Sequence, residues 1–175
     1  MSVYFPLTDM APTKKISGDV GDVEGISLGG YTALVAEDEP DLLLIVADML
    51  ERLGMQVIQA RNGNEALSKQ DEFDGVIDLL LTDVVMPELD GARMAEMFCA
   101  LRPSCGVIFM SGYPGGASQV NASLPEGARL IAKPLEYEAL AKIIYQTLSG
   151  HDGVDDGGAV NAPHWQSFQH KTKAG

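Results

Sequence analysis

From Tyr31 to Leu148 the chain alternates between a strand-like and a helix-like spacing of apolar residues. "YTALVAE" is a short apolar run that ends in acid, the pattern of a buried strand. "PDLLLIVADMLERLG" opens on Pro40, repeats its apolar residues at helical spacing and closes on Gly54, so it predicts a helix. "MQVIQA" predicts a second strand and "GNEALSKQ" the start of a second helix. "VIDLLLTD" is unbroken in its apolar character, as in a strand covered on both faces. "GARMAEMFCALR" predicts a helix that stops before Pro103. "GVIFMSG" and "RLIAKP" predict the fourth and fifth strands. "EYEALAKIIYQTL" predicts the last helix, with Leu140, Ile143, Ile144 and Leu148 on one face. Between strands four and five, "GGASQVNASL" has little apolar content and predicts only a short or frayed helix.

Five strands alternating with five helices predict an α/β fold with a parallel sheet. Right-handed crossovers make it doubly wound, with helices on both faces and the flavodoxin-like strand order 2-1-3-4-5. The expected domain covers residues 31–149. Ahead of it, Val3, Tyr4 and Phe5 form a short β-type run stopped by Pro6, and a lone terminal strand is seldom stable by itself. "TKKISGDVGDVEGISLGG" has no hydrophobic period and reads as flexible linker up to residue 30. Residues 150–175 lose the pattern and read as a disordered polar tail, which holds His151, His164 and His170.

Composition narrows the function classes. The 175 residues give room for one domain and tails, and 46% hydrophobic residues can fill a core. A net charge of −13 argues against nucleic acid as a direct partner, because phosphate binding needs a basic face. The longest apolar run, "LLLIVADML", is too short for a membrane span and is broken by Asp48, so no direct membrane contact is expected. Cys99 and Cys105 lack metal or redox spacing and read as core thiols of a reducing compartment. With no secretory leader at the start, a cytoplasmic location is the expectation, and a parent protein anchored in a membrane is compatible with it.

In such sheets, sites form beyond the carboxyl ends of the strands. Strand one ends in Glu37-Asp38-Glu39, strand three in Asp83, strand four in Ser111 and strand five in Lys133-Pro134. Each has a plain structural use alone, but together they bring acids, a hydroxyl and an ammonium to one rim. Two carboxylates about 4 Å apart repel by roughly 4 kcal/mol at an effective dielectric near 20. Clustering Glu37, Asp38 and Asp83 therefore calls for a cation, or else for one of the three to hold a proton. Hard oxygen donors on a wet rim suit Mg²⁺. A divalent ion beside a carboxylate, with a lysine and a hydroxyl facing it, fits phosphoryl transfer. Asp83, between the acid pair and the lysine, is the expected nucleophile.

"LVAEDEP", "LLLTDVVMPELDG", "IFMSGYP" and "IAKPL" resemble, in order and interval, the four signatures of the receiver domain of bacterial two-component response regulators. The resemblance implies that Asp83 accepts phosphoryl from a phosphohistidine. It implies that Glu37 and Asp38 hold Mg²⁺ together with Asp83 and the backbone carbonyl of Val85. Ser111 and Lys133 would bind the acyl phosphate. Two positions depart from the pattern. The family often carries an aromatic switch residue where this chain has Leu130, and Glu37 replaces a more common aspartate with a longer arm that would reach the metal through water.

"SVYFPLT" resembles the last strand of the ATP-binding domain of sensor histidine kinases, which implies that residues 1–30 are a kinase-domain remnant plus linker. The expected parent is a hybrid sensor histidine kinase, itself a phosphotransferase, with this receiver at its C-terminal end. The partner is then a histidine kinase domain or a histidine phosphotransfer protein. The alternative is a free-standing regulator that acts by binding a partner. A small hydrolase working through an aspartyl-phosphate is disfavoured, because Val85 stands where a second acid would be needed.

Overall fold

The computed structural model describes residues 15–17, 25–112, 124 and 128–152. Its strands are β1 (Lys15–Ser17), β2 (Ser27–Gly29), β3 (Thr32–Ala36), β4 (Gln56–Ala60), β5 (Leu79–Asp83), β6 (Gly106–Ser111) and β7 (Arg129–Ala132). Its helices are α1 (Pro40–Arg52), α2 (Gly63–Glu72), α3 (Gly91–Leu101) and α4 (Tyr137–Asp152). The main sheet has the order β4-β3-β5-β6-β7, and every pairing in it is parallel. Numbered within that sheet alone, this is the expected 2-1-3-4-5 order. The helix expected between strands four and five, and the run at residues 3–5, lie outside the described residues, as does the tail beyond residue 152.

Local chemistry explains the helix ends. α1 begins with Pro40 at its first turn, where a missing N–H costs nothing, and Asp41 and Arg52 complement the helix dipole at either end. Gly54 follows at φ 90°, the left-handed geometry that ends a helix most cheaply in glycine. The Asn62 side chain caps α2 by accepting from the N–H of Glu65 at 2.8 Å. Asp90 caps α3 by accepting from the N–H of Arg93 at 2.9 Å.

The three central strands are covered on both sides, which is why they read as almost wholly apolar. Val35, Leu79, Leu81, Ile108 and Met110 face one layer, formed with Leu43, Val46 and Leu50 of α1 and Leu140, Ile144 and Leu148 of α4. Leu34, Leu80, Val107 and Phe109 face the other, with Ala66 of α2 and Met94 and Phe98 of α3. Cys99 and Cys105 are buried in this second layer, as free thiols. No helix among the described residues is long and apolar enough to cross a membrane.

One part of the linker reading is corrected. β1 and β2 pair as an antiparallel ribbon, and Ile26 and Leu28 are buried in the first core layer beside Leu53 and Met55. The N–H of Leu28 donates to the carbonyl of Leu53 at 2.7 Å. The folded unit therefore starts before residue 31. Two apolar residues flanked by glycines carry no period of their own; the α1–β4 corner they cover is what orders them.

Candidate functional site

Strand register sets the rim. Ala36 pairs with Thr82, so Glu37 and Asp83, one residue further on, emerge level with each other. Asp83 pairs with Met110, which places Ser111 one step beyond it on the next strand. Ser111 pairs with Ala132, so Lys133 follows at the same edge, and its N–H donates to the Ser111 carbonyl at 2.7 Å. The four strand ends chosen from the sequence thus meet at one rim.

Glu37, Asp38 and Asp83 each offer a carboxylate oxygen, and these lie within 4.8 Å of one another. Asp38 is exposed, whereas Glu37 is only 1% exposed and Asp83 9%. Lys133 reaches across to both buried acids. Its Nζ donates to Asp83 Oδ2 at 2.5 Å and to Glu37 Oε2 at 2.7 Å. The second oxygen of each acid is met by backbone: the N–H of Val85 donates to Asp83 Oδ1 at 3.1 Å, and that of Glu39 to Glu37 Oε1 at 3.2 Å. Burial raises the Glu37 pKa, against the opposing pull of the Lys133 hydrogen bond. Burial works against the Lys133 ammonium too, but its hydrogen bonds to Asp83 and Glu37 prevail, and its pKa is raised.

The loop after Asp83 is closely built. The Gly91 N–H donates to the Val84 carbonyl at 3.0 Å, and the Thr82 hydroxyl to the Asp83 carbonyl at 3.0 Å. A Cβ on Gly91 would stand 1.9 Å from that Asp83 carbonyl oxygen. Further along, Glu88 takes φ 67°, uncommon outside glycine, and its carboxylate accepts from Asn64 Nδ2 at 3.0 Å. Sequence reasoning did not single out Gly91 or Thr82. Their signal is "TDVVMPELDG" itself, in which a glycine at the start of a helix reads as a start residue and not as a point of close approach. The Val85 side chain is exposed, and Leu130 packs half-buried against the second core layer.

The donor set fits a hard divalent cation: three carboxylates with converging oxygens, one of them open to water. Asp83 has an ammonium at one oxygen and a backbone N–H at the other, so the site can hold a carboxylate against a second anion.

Known proteins supply the family. Residues 33–145 match the response regulator receiver domain model. "Sensor kinase CckA" of Brucella abortus is 33% identical over 126 residues, which is 71% of this chain but 13% of that protein. "Response regulator receiver protein CpdR" of the same organism is 31% identical over 115 residues, 66% of this chain and 94% of its own length. Among solved structures, a response regulator receiver domain protein from Clostridium thermocellum superposes with a TM-score of 0.61 at 28% identity, covering 68% of this chain and 94% of that one. With the parallel five-stranded sheet and the rim of acids and lysine, the match over most of the chain makes it a member of the response regulator receiver domain family of two-component signalling.

Proposed function

We propose that this chain is the phosphoacceptor of a phosphorelay and takes a phosphoryl group from a phosphohistidine onto Asp83 in the presence of Mg²⁺. The observation that carries this reading is the meeting of Glu37, Asp38 and Asp83 at one point, with the Lys133 ammonium on Asp83. Asp38, Asp83 and the Val85 carbonyl would hold the cation together with Glu37, which would reach it through water. When bound, Mg²⁺ supplies positive charge to offset the phosphoryl oxygens. An Asp83 oxygen attacks phosphorus, the P–N bond to the donor imidazole breaks, and the imidazole leaves with its electron pair and gains a proton. The Lys133 ammonium and the Ser111 hydroxyl donate to the oxygens of the transferred group, and the Val85 N–H holds the attacking carboxylate in orientation.

The parent protein is proposed to be a hybrid sensor histidine kinase, which the similarity to CckA supports. The partner is then a histidine kinase domain or a phosphotransfer protein. A free-standing regulator is the second reading, favoured by the match to nearly the full length of CpdR. A reading frame that continues upstream into a kinase domain would decide for the first.

Asp83→Asn tests the chemistry. It should abolish labelling by acetyl phosphate or a phosphohistidine donor while circular dichroism and the thermal transition stay close to the parent's. Full labelling of the variant would place the nucleophile elsewhere.

A further inference from the structure

We infer that Thr82 is a positioning residue for the reaction at Asp83, its buried hydroxyl fixing the peptide that follows the nucleophile. This role rests on the reading of Asp83 as phosphoacceptor given above. At the end of β5 the Asp83 carbonyl lies against Gly91, the first residue of α3, so closely that a Cβ there would stand 1.9 Å from its oxygen. The Thr82 hydroxyl donates to that oxygen at 3.0 Å. At the other end of the same peptide, the Val84 N–H donates to the Met110 carbonyl at 3.0 Å. The peptide plane between Asp83 and Val84 is thus held at both ends. On one side of it stands the Asp83 carboxylate. On the other stands Val85, whose N–H meets Asp83 Oδ1 at 3.1 Å.

Packing alone does not account for a hydroxyl at this place. Thr82 is fully buried, and Leu80 and Val84, two places to either side, belong to the second core layer. Valine would fill the same volume and suit a strand equally, without taking a polar atom out of water. A hydroxyl enclosed in this way needs a partner, and the one it has is the nucleophile's own carbonyl. The donors from Val84, Val85 and Gly91 that hold this turn are backbone N–H groups, which any residue but proline supplies. The Thr82 donor depends on the choice of side chain. Being enclosed, Thr82 cannot touch a phosphoryl donor itself. Its effect falls on the aim of the attacking carboxylate, and an attack in line with the leaving group tolerates little misplacement.

Acetyl phosphate labelling of the parent, Thr82→Val, Thr82→Ser and Thr82→Ala, in saturating Mg²⁺ and well below each thermal transition, tests this role. Parent and Thr82→Val differ in the hydroxyl at nearly constant volume, and so, at smaller volume, do Thr82→Ser and Thr82→Ala. Thr82→Ser removes only the methyl group. The rate at saturating acetyl phosphate should fall about tenfold within each pair, the effect of one hydrogen bond on orientation. The half-saturating concentration should stay within about twofold, because binding of the donor is untouched. Thr82→Ser should label at the parent's rate. Should Thr82→Val fail to fold, the serine and alanine pair decides. A pair that labels equally fast, or Thr82→Ser slowed as far as Thr82→Val, would overturn the role. So would a loss that appears in the half-saturating concentration and not in the rate. A parent that takes no label would instead overturn the phosphoacceptor reading, and this role with it.

Discussion

A methyl group at Gly91 would lie 1.9 Å from the carbonyl oxygen of Asp83, far inside contact distance, so the chain can make this turn only with hydrogen in that place. Gly91→Ala must push the Asp83 backbone away, and overpacking of this kind costs about 1–3 kcal/mol. Urea unfolding should show that loss, and labelling at Asp83 should fall with it because the nucleophile's own backbone moves. Cys99 makes a different residue-scale prediction. Burial pushes its thiol pKa up to about 12, and burial foremost raises that of Cys105 as well. An exposed thiol is half ionised at about pH 8.5, so at that pH the native protein should resist iodoacetamide while the urea-unfolded chain reacts rapidly. The folded state keeps these protons longer than the unfolded one. Stability from this source is therefore complete below about pH 8.5 and falls as pH climbs toward about 12. A urea midpoint that stays flat over that range would contradict it. Single residues were only partly legible in the sequence. Glu37, Asp83, Ser111 and Lys133 could be found because strand ends define the rim, but the Glu37–Lys133 contact depends on arm lengths across three strand spacings, which no local pattern encodes.

At the scale of elements, the main-sheet strands and α1 to α4 could be read from the chain because each buries a face or both faces, so period and burial coincide. The ribbon of β1 and β2 could not, since Ile26 and Leu28, buried at its β2 side, carry no period and take their order from the α1–β4 corner. Leu28 is fully buried and its N–H is bonded to Leu53. Leu28→Ala should therefore cost about 2–5 kcal/mol in chemical unfolding. This goes against the expectation, drawn from the missing period, that the chain up to residue 30 is flexible linker. An unchanged midpoint in Leu28→Ala would return that segment to the linker class.

For the whole molecule, the acid rim makes folding and ion binding one equilibrium. A ligand that binds only the folded chain stabilises it by about 2.7 kcal/mol at a hundred times its dissociation constant. Few carboxylates and several retained waters make a weak site, so millimolar Mg²⁺ should be needed to raise the thermal transition. Asp38→Ala should lose most of that rise, whereas an equal rise in the variant would point to diffuse screening of the −13 charge. Parallel strands give the sheet two unlike ends. Asp83 and Lys133 stand at one, and the ribbon grips the other, where Leu28 is bonded between α1 and β4. A mechanical load applied through the peptide ahead of residue 25 would enter at the far end from the acids. It would have to draw Leu28 from its seat and break the bond to Leu53 before any strain reached the rim. The ribbon would then give way first and act as a mechanical fuse, leaving the aspartate's surroundings intact while the anchor slips.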